Sequence, residues 1–463
     1  MTDTPSDATA SMPDDSPRPR RRIRLWHIAA IVLLAIVAIP LGSRVYWQTQ
    51  LRRRIKALAA AGYPTTVEQM DAWYPPLEPD RENLAELIVA VASHIDLGLS
   101  EEERELVPLI GQGQLPAPGE PLSTEMREVL NRLIDDHREA LDYLYDKPLA
   151  PDCRYRLDWI EGFESGFTGL SKARQCASLL SLAAVKAFDL GDAERAIEFL
   201  VRAQTIGRSI GEVPLLWVRR SSGRCRNRVL KVLEWGLSHH SLTDAQLAQL
   251  AEAFGQDDCQ EGLVRALAGM RCLVLPHLEH PKETGDNDSP SAALLDFYRA
   301  FGLAARETLI YAETIEAGIQ VAQLPLSQWQ SATKAIDDRV RSQVGWCLQL
   351  NYVRDEGVDI LFDFVRSLAS RARLDTARTA LAVERYRLVR GRLPETLAGL
   401  VPEYLESVPL DPFDGAALRY QPLIKGFVVY SVGRNGWDDG GRPPKPGREW
   451  ERGNWDITFT IER

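Results

Sequence analysis

The sequence VPLDPFDGAALRYQPLIKGFVVYSVGRNGWDDGG, at Val408–Gly441, contains most of the strand signals of the chain. Its segment Asp411–Gly415 predicts a turn, because Pro fixes φ and Gly tolerates a positive φ. Aromatic and β-branched residues in Leu418–Gln421 and Gly426–Ser431 predict two short strands, and the alternating run Asp456–Ile461 predicts a third. The chain is therefore predicted to end in a small α+β module with a short antiparallel sheet.

The order of these motifs is similar to that of a known family. DPF-x-G, LRY, GFVVYSVG and NGxDDGG follow one another, and the series resembles the C-terminal β-region of the major (G-type) pseudopilin of type II secretion. The preceding segment Thr379–Leu400 resembles that family too, with a helix, a Gly and a Leu-Pro-x-Thr-Leu step. The resemblance implies a pseudopilin-like module over residues 375–463. The membrane segment lacks the processing signature of a pilin, so we interpret the module as borrowed.

The loop after the second predicted strand carries the candidate metal ligands. Gly433–Gly436 predicts a turn, and an acidic pair follows it. G-type pseudopilins bind calcium in the corresponding loop, so the resemblance implies a structural calcium ion, which needs about six to eight oxygens. The implied ligands are Asn435, Asp438, Asp439 and Asp456. The alternative is an ordinary Asn-Gly turn with solvated aspartates.

The N-terminal region predicts a membrane anchor. Leu25–Ser43 contains no charge and would span about 28 Å as a helix, which matches a bilayer core of about 30 Å. We predict a disordered basic tail at 1–24 and a transmembrane helix at 25–46 in contact with lipid. A cleaved signal peptide is the alternative, but no convincing small-x-small cleavage site follows. The arginines of the tail favour an inside N-terminus, although Arg44 begins a second basic flank.

Residues 47–374 show a helical period and predict a helical, repeat-like exported body. Ser123–Tyr145 forms one apolar stripe. Gly169–Leu190 and Ala193–Ile210 predict a hairpin of two helices, in which Gly191 can cap the first and Asp192 the second. Its small residues resemble a tetratricopeptide unit. A linker is predicted at 281–291, and the body and the C-terminal module are expected to have separate cores.

Charge and cysteine content limit the function classes. The net charge is −10 and the pI is about 5.4. We recognise no basic stripe outside the membrane flanks, so a nucleic-acid partner is not expected. The six cysteines show neither a Cys-x-x-Cys pair nor zinc spacing. They could form one or two disulfides in an exported domain or be small buried apolar residues.

The sequence contains no recognised catalytic motif. No phosphate loop, nucleophile elbow or His-Glu-x-x-His helix occurs. Gly111–Gly113 is Gly-rich but lies close to prolines, which indicates an ordinary loop. His277 and His280 could share a helix face, but prolines flank them and no third ligand has a defined spacing.

These observations favour a non-enzymatic function. We predict a single-pass protein of the inner (cytoplasmic) membrane with an extracytoplasmic C-terminal domain. It would serve as an envelope scaffold or protein-interaction protein, associated with a secretion or pilus-like apparatus. One alternative is a direct component of a type II secretion-like apparatus. Another is an exported hydrolase whose catalytic residues are scattered through the helical body.

Overall fold

The computed structural model describes a defined set of residues: 25–74, 76–77, 81–149, 152–157, 168–255, 259–279, 292–344, 360–442 and 455–463. The predicted tail at 1–24 and the predicted linker at 281–291 lie outside the described residues. The side chains of His277 and His280 lie outside them as well.

Helices fill most of the described chain, and three strands follow at its end. The helices are α1 (Leu25–Ala60), α2 (Val67–Trp73), α3 (Leu84–Ala92), α4 (Glu101–Leu106), α5 (Thr124–Asp136), α6 (Arg138–Asp146), α7 (Thr168–Asp189), α8 (Ala193–Gly211), α9 (Leu216–His239), α10 (Asp244–Ala253), α11 (Cys259–Glu279), α12 (Ala292–Ala300), α13 (Leu303–Ala322), α14 (Trp329–Val344) and α15 (Ile360–Arg390). The strands are β1 (Arg419–Leu423), β2 (Gly426–Ser431) and β3 (Ile457–Glu462). The predicted mainly α fold class is confirmed.

Helix α1 is long and apolar enough to cross a membrane. Large apolar side chains between Trp26 and Tyr46 are exposed along it, as lipid contact requires. The helix continues past its apolar part, and its C-terminal half packs on α13. Leu51 forms a small core there with Ala305 and Leu309.

The helical body follows the predicted pattern with one interruption. The apolar stripe at Ser123–Tyr145 belongs to two helices, because the chain breaks at His137. The imidazole explains the break: Nδ1 lies 2.7 Å from the Leu133 carbonyl oxygen, and Nε2 accepts the N–H of Asp96 at 3.1 Å. The imidazole thus competes with backbone N–H groups for the Leu133 carbonyl oxygen, an acceptor of the helix.

The predicted hairpin is formed by α7 and α8. Gly191 has φ +77°, as a helix-ending glycine requires, and Asp192 Oδ1 accepts the N–H of Arg195 at 3.1 Å. The buried Ala183 and Ala196 leave room for close packing of the two helices. Sequence therefore located both helices and their connection.

The C-terminal sheet is antiparallel with strand order β1-β2-β3. Val429 of the central strand pairs with Tyr420 on one side and Phe459 on the other. β2 and β3 pack on α15, and β3 also packs on α9. One continuous apolar core extends from Leu84 to Ile461, so the expectation of separate cores is wrong.

Candidate functional site

The DPFDG turn is held by a buried carboxylate. The side chain of Asp411 is fully buried and accepts the N–H groups of Phe413 at 2.9 Å and Val432 at 2.8 Å. It also accepts the Ser431 hydroxyl at 2.8 Å and pairs with Arg419 at 2.8 Å. Burial raises the pKa of Asp411, although its backbone hydrogen bonds act in the opposite direction. This carboxylate therefore joins the turn to the end of β2.

The predicted calcium loop is closed by hydrogen bonds of its own. Asn435 Nδ2 donates to Asp439 Oδ2 at 3.0 Å, and Asp438 Oδ1 accepts the N–H of Gly440 at 2.9 Å. Asp456 is buried, and its two oxygens accept the N–H groups of Asp439 at 3.3 Å and Gly441 at 2.8 Å. Burial raises the pKa of Asp456. The loop thus links Asn435, Asp439 and Asp456 in one network, and Asp438 bonds to the backbone of the same loop.

This network does not have the form of a metal shell. The oxygens of Asp456 face backbone N–H groups, and Asn435 donates an N–H toward Asp439, whereas a cation needs acceptors that face it. Within the described residues, no group of three His, Cys, Asp or Glu side chains could hold a metal ion. Calcium stays a prediction from the resemblance.

The described cysteines are free thiols. Cys153, Cys176, Cys225 and Cys272 form no disulfide. Burial raises the pKa of Cys153 to about 11 and that of Cys272 to about 12, so these thiols are poor nucleophiles. The side chains of Cys259 and Cys347 lie outside the described residues. The four described thiols therefore behave as small buried or half-buried residues.

The arginines of α9 are the polar feature that the sequence analysis missed. The stretch Arg219–Arg228, RRSSGRCRNR, contains five arginines, a local concentration of basic residues that the sequence analysis did not single out. The sequence signal for this feature was the high arginine content of these ten residues. Because a helix turns by about 100° per residue, the arginines spread over several faces of α9.

One face of α9 borders a cavity of about 80 Å³ together with α8 and α15. Asp363 of α15 accepts two hydrogen bonds from Arg220, at 2.6 and 2.9 Å. Glu212 pairs with Arg265 at 2.5 Å. Both acids of the cavity wall are thus engaged by arginines, and the cluster joins α8, α9, α11 and α15.

The chain matches no protein-family model, no curated protein and no solved structure. The similarity of residues 375–463 to the pseudopilin module therefore depends on the motifs alone.

Proposed function

We propose that the protein is an envelope-anchored scaffold, without enzymatic activity, that holds a pseudopilin-like module in a fixed position for a protein partner. The supporting observation is the continuity of packing from the apolar helix to the sheet. Membrane anchoring, body and module are then one mechanical unit. This arrangement suits a protein that positions others beside a secretion or pilus-like apparatus.

The first link of this unit is the contact of α1 with α13. Arg54 pairs with Glu316 at 2.8 Å, and the Arg306 guanidinium lies 5.8 Å from the centre of the Trp47 ring. Gly302 approaches the α1 backbone so closely that a Cβ there would lie 2.5 Å from the Cα of Arg44. The contact begins at the first charge after the apolar run, which supports a position of α13 near the membrane surface.

The second link joins the module to the body. Glu234 Oε1 accepts the N–H of Thr460 at 2.6 Å, and Ser238 accepts the N–H of Glu462 at 3.3 Å. The Arg463 side chain donates to Glu384 of α15 at 2.6 Å. Strand β3 is therefore fixed by both apolar packing and polar contacts.

Two exposed apolar side chains of the module are suited to partner contact. Trp437, in the loop after β2, is 75% exposed, and Ile424, in the β1–β2 turn, is fully exposed. Exposed aromatic residues on a rigid surface are frequent anchors of protein interfaces. We place the partner surface on the Trp437 loop, because Asn435, Asp439 and Asp456 fix it.

Photo-crosslinking in native membranes tests the proposal. In separate variants a photoreactive residue replaces Trp437 or Ile424. In the control variant the same photoreactive residue replaces Glu395, whose side chain is 86% exposed. We expect a discrete protein adduct from position 437 that is absent from position 395. Failure of both position 437 and position 424 to give a discrete adduct would contradict the scaffold function.

We propose further that the protein crosses the inner membrane once, with residues 1–24 inside and 47–463 outside. The tail arginines and the resemblance of the module support this orientation. A membrane-impermeant thiol reagent on intact cells should label a cysteine placed at Glu395 and spare one placed at Ser6. The reverse labelling would invert the topology.

The two other functions make different predictions. A direct component of a type II secretion-like apparatus would co-assemble with pseudopilins, so its crosslinks would come from the apolar helix as well as from Trp437. An exported hydrolase would need convergent catalytic groups. In the described part of the chain, the acids of the α9 cavity are occupied by Arg220 and Arg265, which favours the scaffold.

A further inference from the structure

A second cavity, of about 540 Å³, lies on another face of α9. Its walls come from the loop between α3 and α4, from α4 and the loop after it, and from α7 and α9. The polar groups that line it are Arg104, Arg174, Gln175, Ser178 and Arg228, and the apolar ones include Leu97, Leu99 and Ile110. The cavity therefore combines a basic side with an apolar side.

Arg228 is held in a fixed orientation. Its Nε donates to the carbonyl oxygen of Leu109 at 2.9 Å, and its Nη1 donates to Ser178 Oγ at 2.8 Å. The Ser178 hydroxyl in turn donates to the carbonyl oxygen of Arg174 at 2.8 Å. Two of the five N–H groups of the guanidinium are used in this way, and three remain for another acceptor.

The Gly-rich loop Gly111–Gly113 supports this wall. A Cβ at Gly111 would lie 2.3 Å from the Arg104 carbonyl oxygen, and one at Gly113 would lie 2.1 Å from the Leu106 carbonyl oxygen. Only glycine permits so close a return of the chain. The preceding Leu109 has φ +70°, and its carbonyl is the acceptor for Arg228. The loop thus orients an arginine and does not itself form a phosphate cradle.

The positive charge of the cavity is not balanced by nearby acids. Among the described residues, no carboxylate lines the cavity, and Arg104, Arg174 and Arg228 form no ion pair within 4.0 Å. Burial lowers the pKa of Arg228, and the like charge of Arg174 adds to this effect. The guanidiniums of Arg104, Arg174 and Arg228 line the same cavity, so their like charges repel one another, and an anion between them would relieve that repulsion.

We infer that this cavity binds a small soluble molecule that carries a phosphate or carboxylate group. Guanidiniums bind both oxyanions through paired N–H···O bonds, and the Gln175 amide offers a further donor. The volume exceeds that of a single oxyanion, and Leu97, Leu99 and Ile110 can contact a short carbon body. The arginines bind the oxyanion, and the leucines and isoleucine contact the rest of the ligand.

Calorimetric titration of the full chain in uncharged detergent tests this inference. The probes are inorganic phosphate and malonate, each against chloride at equal ionic strength, because screening weakens all charge contacts. We expect saturable binding of at least one probe. Arg174→Gln should weaken it about tenfold or more, which corresponds to about 1.4 kcal/mol. Arg104→Gln, at an exposed position, should also weaken it and keeps the test valid if the first variant misfolds.

Arg219→Gln is the matched control, because Arg219 lies on the same helix but lines the other cavity. It should leave the affinity unchanged within about twofold. The inference is overturned by the absence of saturable binding up to about 10 mM of either probe. Equal weakening by Arg219→Gln would overturn it as well, since it would show general charge attraction.

Discussion

Glu234 makes the contact between body and sheet sensitive to pH. Its Oε1 accepts the N–H of Thr460 at 2.6 Å. Burial raises the pKa of Glu234 from its usual 4.5 to about 7, even though the Thr460 N–H and the positive charges of Arg373 and Lys231 lower it. Desolvation of the carboxylate thus outweighs its favourable contacts.

The sign of the effect follows from proton binding. Between pH 4.5 and 7 the folded protein holds a proton on Glu234 that the unfolded chain releases, so the free energy of unfolding falls as the pH rises. Each pKa unit corresponds to about 1.4 kcal/mol, which gives about 3 kcal/mol over the full interval. Part of the Glu234 side chain remains accessible to solvent, which screens its charge, so we expect the free energy of unfolding to change by the smaller amount of about 2 kcal/mol. This stabilisation is complete below pH 4.5 and is lost as the pH rises through 7.

The variant Glu234→Gln separates the contribution of Glu234 to the pH dependence from the titration of other acids. The amide keeps an acceptor for the Thr460 N–H and removes the charge. The variant should match the native chain at pH 4.5 and exceed its free energy of unfolding by about 2 kcal/mol at pH 8. Urea denaturation of the full chain in uncharged detergent, followed by tryptophan fluorescence, measures the free energy of unfolding of both proteins at both pH values. Glu395→Gln, on the surface, should show no such difference. A Glu234→Gln effect that is equal at both pH values would refute the reasoning.

Three further predictions concern the turn, the anchor and the loop. Asp411→Ala should lower the free energy of unfolding by about 3 kcal/mol, because it leaves the N–H groups of Phe413 and Val432 without their acceptor. Urea denaturation measures the loss, and a loss below about 1 kcal/mol would contradict the prediction. Gly302→Ala should loosen α1 from α13, since φ is +69° and the added Cβ would collide with the backbone of Arg44. Disulfide trapping between cysteines placed at Leu51 and Leu309 should then be slower, and unchanged trapping would argue against a tight contact. If calcium binds the loop, at 100 times its dissociation constant it adds about 2.7 kcal/mol. The double variant Asp438→Ala and Asp439→Ala should abolish that gain. Identical melting curves with calcium and with chelator would contradict calcium binding and indicate an ordinary Asn-Gly turn.

The elements that sequence located are those fixed by local contacts. The hairpin at Gly191 and Asp192 is one example, because the positive φ and the helix cap involve neighbouring residues. The strands are another, with one instructive difference: β1 extends to Leu423, past the predicted end at Gln421. Pro422 is tolerated there because, in the sheet that the described residues form, β1 is an edge strand with β2 as its neighbour.

The polar contacts between distant segments could not be found from the sequence. Glu234 and Thr460 are 226 positions apart, and Arg228 and Leu109 are 119 positions apart. Neither pair leaves a periodic signal, since each residue alone looks like an ordinary charge or loop position. The shared core was missed for the same reason. α15 extends across the predicted boundary at 374/375 without a break, and its apolar residues serve both the body and the sheet.

The buried acids of α15 explain how one helix can serve two packing partners without sliding between them. Asp363 pairs with Arg220 of α9, and Glu384 pairs with Arg387 and with Arg463. Breaking a buried ion pair costs about 3–5 kcal/mol, although its net contribution to stability is small. A shift of α15 by one turn, about 5.4 Å, would separate Asp363 from Arg220 and Glu384 from Arg463, whereas Arg387 lies on α15 and would move with it. Apolar packing accepts such shifts more readily than these pairs do, so the pairs select one register. That register sets the orientation of the sheet relative to the body, which is the property that a scaffold has to keep constant.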